Sequence, residues 1–258
     1  MRLAIIASAT GTLLEWYDLY LAIILAKVLS TQLFPGGSGT YFLETLAIVG
    51  SSFFIRPLGS LFFGSLGDRK GRKKSFLLSL LLMGGATFLI GLIPTFAQIG
   101  WLAPILLLLF RLVQGFALSG EYSGAIIYVS ENAPIDRRGY YTGFIQATVP
   151  VGLLLCLSVV IAVQSMMTPA EFTAWGWRIP FLTSALLVVF SYFIRKKMAE
   201  TPVFEALKRS NNLSKSPIKD SLGSKASLKK MLAIIFGGNA AQSTIMQTAQ
   251  FVTLYFLQ

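Results

Sequence analysis

The stretch Gly64-Ser65-Leu66-Gly67-Asp68-Arg69-Lys70-Gly71-Arg72-Lys73-Lys74-Ser75 is a short, strongly cationic turn set between two long apolar runs. Residues 41–67 before it and 75–97 after it carry only Glu44 and Arg56 as charges. Two apolar runs of that length joined by a basic turn read as two membrane-spanning helices whose connection marks the cytoplasmic face.

Composition agrees. The 258 residues are 54% hydrophobic and 13% charged, about half the charge that ordinary globular domains carry, and the mean hydropathy is +0.67. A net charge of +11 would suit a nucleic-acid partner, but its distribution does not. Of the 22 Lys and Arg, 17 fall in residues 68–74, 131–139 and 195–230, whereas residues 31–41, 94–101 and 165–174 hold none. Alternation of basic and charge-poor connections is the positive-inside pattern and excludes a basic nucleic-acid patch. There is no histidine, and Cys156 is the single cysteine. A disulfide framework, a metal site and the familiar catalytic triads therefore have no residues to build them, so the sequence points to neither an enzyme nor a cofactor. Proton chemistry is left to carboxylates.

Six stretches are long enough to cross about 30 Å of hydrocarbon: approximately residues 3–34, 41–67, 75–97, 100–130, 140–166 and 175–194. A seventh begins at Met231 and is still apolar at Gln258. The first is too long, and too interrupted by Glu15 and Asp18, for a cleaved signal peptide. With Arg2 inside, it exits near Phe34-Pro35-Gly36-Gly37, and every later connection alternates correctly. Trp101, Trp175 and Trp177 then fall at outer helix ends, where amphipathic rings favour the interface. The expected organisation is a six-helix bundle over 1–197, a basic cytoplasmic connection over 198–230 and a seventh helix over 231–258. Residues 195–230 hold ten basic residues against three acids, with one short amphipathic helix expected at Pro202–Arg209 and disorder as the alternative.

Charged residues fall inside the spans. Arg111 lies roughly 16 Å along the fourth helix at 1.5 Å per residue, near mid-depth. A charge there costs at least about 2.5–3.5 kcal/mol and so faces a cavity or a partner. In the first helix, Gly11, Glu15, Asp18 and Ala22 recur at helical spacing and share one face. Two readings of Glu15 and Asp18 stand. They form a static ion-pair network with Arg56 and Arg111, or they take up and release a proton as their surroundings change. Lys27 snorkels outward, and Gly115, Gly120 and Gly124 suit close helix packing. The run around Gly71 lacks the spacing and the strand of a phosphate-binding loop.

The basic turn resembles the signature between helices two and three of the major facilitator superfamily, through Gly64, Leu66, Asp68, Arg69, Gly71, Arg72 and Lys73. Arg111-Leu-Val-Gln114-Gly115 is similar to a second motif of that superfamily. Glu15-Trp-Tyr17-Asp18, Phe54-Ile-Arg56-Pro57-Leu-Gly59, Gly120-Glu121, Glu131-Asn-Ala-Pro134 with Arg138-Gly139, Trp175-Gly-Trp177-Arg178-Ile-Pro180-Phe181 and Glu200-Thr201-Pro202-Val-Phe204 narrow the resemblance. They point to its metabolite:proton symporter branch, which includes proline/betaine, 2-oxoglutarate, citrate and shikimate carriers. The resemblance implies an all-α integral membrane protein that moves a small organic acid or zwitterion together with protons across the plasma membrane by alternating access, with the N-terminus cytoplasmic. It implies substrate contacts from Arg111, Gln114, Tyr17 and Glu121, and proton coupling through Asp18 or Glu15. Arg56 and Glu131 are supporting charges, and the residues of the basic turn form a conformational gate. The superfamily has twelve helices in two bundles, whereas this sequence reaches only the seventh. The alternative expectation is therefore a non-transporting remnant, or a half-transporter that needs a partner chain for its C-terminal half.

Overall fold

The computed structural model describes residues 2–35, 41–214, 216–240, 244, 245, 248 and 252, and all its described elements are helical. The chain divides into two units, Met1–Leu213 and Ser214–Gln258. In the first unit the helices are α1 (Arg2–Ile24), α2 (Ala26–Leu33), α3 (Phe42–Lys70), α4 (Arg72–Gly91), α5 (Phe96–Ile99), α6 (Leu102–Asn132), α7 (Arg138–Gln146), α8 (Thr148–Ser165), α9 (Pro169–Glu171), α10 (Arg178–Lys196) and α11 (Pro202–Arg209). The second unit contains α12 (Pro217–Leu222) and α13 (Lys225–Ala233), the latter running into a wider, π-type turn over Ile234–Asn239. Most of the seventh span expected over 231–258, and Gly36 and Gly37 of the first exit turn, lie outside the described residues.

Five of the six expected spans are long and apolar enough to cross a membrane on their own, in helices Phe42–Lys70, Arg72–Gly91, Leu102–Asn132, Ile135–Ser165 and Arg178–Lys196. The sixth, α1, is diluted by Ser8, Thr12, Glu15 and Asp18, all four of which are buried. Its polar stripe is enclosed by α6, α8 and α10, which pack directly on it, and Ile6 is its only exposed residue among those whose burial is described. Protein rather than lipid surrounds that stripe, so α1 needs no apolar coat. On the outer helices the pattern is reversed. Phe54 and Leu58 of α3, Leu154 and Ile161 of α8, and Leu186 and Phe190 of α10 are exposed, giving the bundle a lipid-compatible exterior.

Four expected details differ. The basic turn is no loop: α3 continues through Lys70, α4 starts at Arg72, and Gly71 alone joins them. Gly71 sits at φ +101°, which L side chains rarely adopt, so a corner of one residue requires glycine. The fifth span is broken at Ala147 between α7 and α8. Pro150 lacks an N–H, and its ring opposes the carbonyl of Gln146, so the α7 hydrogen-bond pattern cannot run through. The first span is likewise two helices, α1 and α2, interrupted at Leu25, for which no residue supplies an evident cause. The basic segment carries three short helices where one was expected. Pro202 and Pro217 begin two of them at positions where a missing N–H costs nothing.

Close approach organises the centre. α6 packs on α1, α3 and α4. Its glycines face their neighbours: Gly115 the backbone carbonyl of Ser52, Gly120 the ring of Phe63 and Gly124 the ring of Phe76. A side chain at Gly115 would have to displace backbone, which cannot yield as a flexible side chain does. Gly115→Val is expected to lower stability by about 1–3 kcal/mol, whereas Gly50→Ala, whose added carbon meets nothing within 4 Å, should stay within about 0.5 kcal/mol. Thermal unfolding of the two variants in detergent separates them.

Candidate functional site

α1 and α6 cross with their charged residues at matching height. Asp18 Oδ2 accepts from Arg111 Nη1 at 3.3 Å, and Asp18 Oδ1 accepts from Gln114 Nε2 at 2.8 Å. The same Gln114 nitrogen lies 2.8 Å from Thr87 Oγ1 of α4. Spacing of three along α6 puts Arg111 and Gln114 on one face, and the same spacing along α1 does so for Glu15 and Asp18. All four are at most 4% exposed. Among the described residues, four of their buried polar atoms have no hydrogen-bond partner: Arg111 Nε and Nη2, Gln114 Oε1 and Glu15 Oε2. Arg56 of α3 approaches from the side, its guanidinium resting 4.1 Å from the Phe53 ring centre, and its Nε also lacks a partner.

Glu121 and Tyr17, the other expected substrate contacts, are placed differently. Tyr17 is fully buried and donates its hydroxyl to the Pro180 carbonyl at 2.7 Å, tying α1 to α10. Glu121 forms a fully buried ion pair with Arg195. Arg195 Nη2 donates to Glu121 Oε1, and Nη1 donates to Oε2 at 2.7 Å. Ser79 adds a third bond to Oε2 at 3.0 Å. The remaining Arg195 donors reach the Ala7 carbonyl of α1 and the Phe76 carbonyl of α4, both at 3.1 Å. One guanidinium thus joins α1, α4, α6 and α10 with each of its three nitrogens hydrogen-bonded.

At the end of the bundle that carries Gly71, Arg72 bridges Asp68 at 2.7 Å and Glu131 at 3.3 Å, linking the α3–α4 corner to the end of α6. The Glu200 carboxylate accepts from the backbone N–H groups of Arg72 at 2.9 Å and Lys73 at 3.3 Å. It thereby satisfies donors that the first turn of α4 leaves open and places a negative charge at the positive end of that helix. Lys73 donates its ammonium to the Lys196 carbonyl at 2.8 Å. Arg69 is exposed, and Gly64 has open space beside it.

Sequence reasoning missed Arg195, Glu200, Thr87 and Ser79. For Arg195 a signal existed. Ser184, Ser191 and Arg195 stand seven and four residues apart, share a helix face and are all buried, but Arg195 adjoins Lys196 and Lys197 and reads as the start of the basic connection. No comparable pattern marks Glu200, whose role depends on the corner folding back to it. Among the described residues there is no group of His, Cys, Asp and Glu able to hold a metal ion.

A bundle of apolar helices with paired charge in its interior and a cationic corner between its second and third spans fits a multi-pass membrane protein of the major facilitator fold. Sequence comparison agrees: the pattern of the family described as "Sugar (and other) transporter" matches residues 3–256, and the chain belongs to that family. It is 43% identical over 208 residues to the shikimate transporter of Escherichia coli, covering 79% of this chain and 47% of that one. It is 40% identical over 205 residues to the glycine betaine/proline/ectoine/pipecolic acid transporter OusA of Dickeya dadantii, covering 79% and 41%. The chain therefore spans about half the length of the curated relatives it matches. The fold is similar to that of the proton:xylose symporter XylE bound to 6-bromo-6-deoxy-D-glucose, with a TM-score of 0.71 at 16% identity, covering 97% of this chain and 55% of XylE. The inward-open form of XylE from E. coli gives a TM-score of 0.67 at 17% identity, with 92% and 56% covered.

Removing one member of the Glu121–Arg195 pair leaves an uncompensated buried charge. Arg195→Met is therefore expected to cost about 3–5 kcal/mol, and adding Glu121→Leu to recover most of it. Chemical denaturation of the single and double variants in detergent provides the cycle.

Proposed function

We propose that the chain forms the first half of the translocation machinery of a proton-coupled symporter for a small organic metabolite, an organic acid or a zwitterion. It acts by alternating access in the plasma membrane, with Gly71 and the basic end cytoplasmic. The chemistry is binding and release, with no enzymatic step. One observation carries the reading. A buried carboxylate, Asp18, holds a buried guanidinium, Arg111, that still has two donors without partners. The substrate names of the relatives, shikimate and the betaine–proline group, are in keeping with small carboxylated cargo.

Such a pair couples a proton to a cargo. While Asp18 is ionised it pins Nη1 of Arg111 and the amide of Gln114. Once a proton sits on Asp18, the Coulomb attraction vanishes, and Arg111 is free to turn towards a cargo carboxylate. Loading of the proton and loading of the anion then favour each other, which is what symport requires. Glu15, one turn away on the same face, is the second carboxylate able to take the proton. Tyr17 and Glu121 frame the site, and Arg56 contributes a second positive charge. The Arg72 bridge to Asp68 and Glu131 is the gate that must open when the basic end opens. The opposite wall of the site comes from further chain, in keeping with central sites that lie between repeats.

A pH difference of one unit supplies about 1.4 kcal/mol per proton, enough for about tenfold accumulation of a neutral cargo at one proton each. In proteoliposomes holding the complete gene product, uptake should follow the pH gradient on that scale. Asp18→Asn should abolish accumulation while leaving downhill exchange. Gradient-driven accumulation by the Asp18→Asn variant would sink the coupling role of this residue.

A further inference from the structure

We infer that the central site is built for a small zwitterion, with Arg111 taking its carboxylate and Glu15 its cationic nitrogen. This deepens the transport reading, on which it rests for the premise that cargo sits between α1 and α6.

Arg111 spends one nitrogen, Nη1, on Asp18. The two without partners, Nε and Nη2, share one edge of the planar guanidinium. That edge presents two parallel N–H groups and is the side a carboxylate meets bidentately. The Asp18 contact leaves this edge open. Asp18 itself has no oxygen to spare, since Oδ1 is held by Gln114 and Oδ2 by Arg111. The anion that fits the open edge is therefore on the cargo.

The acceptors without partners ask for the opposite charge. Glu15 Oε2 and Gln114 Oε1 are both buried and unpaired, and a buried polar atom in that condition is costly until something donates to it. The groups facing Glu15 do not fill the role. Asp18 of α1 is committed, and Tyr122 of α6 gives its hydroxyl to Gln146. Glu121 of α6 is saturated by Arg195 and Ser79. Among the described residues no ion pair reaches Glu15, from Arg56 of α3 or from any other cation. A cationic nitrogen carried by the cargo supplies the missing partner, a secondary ammonium by donating its N–H groups and a quaternary one by charge alone. The site therefore offers a two-donor edge on α6 and, one helical turn along α1 from the Asp18 that this guanidinium bonds, a buried carboxylate, the complement of a carboxylate and an ammonium on one small skeleton.

Equilibrium binding to the complete gene product in lipid nanodiscs, at fixed pH and without a gradient, tests this with two isosteric pairs. L-Proline is compared with cyclopentanecarboxylate, and glycine betaine with 3,3-dimethylbutyrate, each pair differing in the cationic nitrogen alone. At least one zwitterion should bind tenfold or more tightly than its carbon isostere, and Glu15→Gln should bring that pair within about twofold. Arg111→Lys should weaken both members alike. Equal or tighter binding of the isosteres, binding of no member of either pair, or a discrimination that survives Glu15→Gln overturns the inference. The wild-type comparison alone decides the charge preference should the variant not fold. Zwitterion preference without gradient-driven accumulation would defeat the transport reading and spare this one, and accumulation of an acid without the preference would do the reverse.

Discussion

Everything inside this bundle follows from the cost of holding charge away from water. A guanidinium or carboxylate at mid-depth is several kcal/mol unfavourable unless another group compensates it, and α1, α3, α4, α6 and α10 are arranged so that compensation comes from neighbouring helices. Asp18 meets Arg111 across α1 and α6, and Glu121 meets Arg195 across α6 and α10. The two pairs are satisfied to different degrees. Arg195 uses all three of its nitrogens on Glu121 and on two backbone carbonyls, whereas among the described residues Arg111 uses one nitrogen and keeps two unpartnered. The first arrangement has no reason to change. The second has a standing demand for another ligand, and that contrast separates the scaffold of the bundle from its site.

The apolar packing is subordinate to those pairs. α1 has too little lipid-compatible surface to span alone, yet it is the most enclosed helix because its polar stripe must face protein. The glycines of α6 let α3 and α4 approach closely enough for Thr87, Ser79 and Gln114 to reach the charges. Close packing and polar pairing thus act on the same helix: Gly115 seats α3 against α6, while Arg111 and Gln114 of α6 hold Asp18 of α1.

Much of this was legible in the sequence because the membrane imposes simple periodicities. Apolar runs, the alternation of basic and charge-poor connections and the i, i+3 spacing of Glu15 and Asp18 located the helices and the face carrying the acids. The Pro202–Arg209 helix coincides with its expected bounds, since Thr201 caps it and Pro202 opens it. What was illegible depends on three-dimensional return. Arg195 looks like a loop residue until α10 is seen to continue past it and turn it inward. Glu200 looks like one acid in a basic tail until the chain folds back on the first turn of α4. Tyr17 sits beside Asp18 in sequence, but its neighbour position on the helix aims it at α10. The length of a connection was the hardest to judge, because a run of charges reads as loop even where it is helix up to a single glycine.

That single glycine has a mechanical meaning. With α3 and α4 meeting at Gly71 and no slack between them, neither helix can tilt at this end without carrying the other. The corner is also fastened from outside, by Glu200 at the head of α4 and by Lys73 on the last turn of α10. A pull arriving along the chain beyond α10 is therefore delivered not to α10 alone but to the paired α3–α4 unit, as a rod pinned to a crank moves the whole crank. The segment leading out of the bundle acts as a coupling rod rather than a tether.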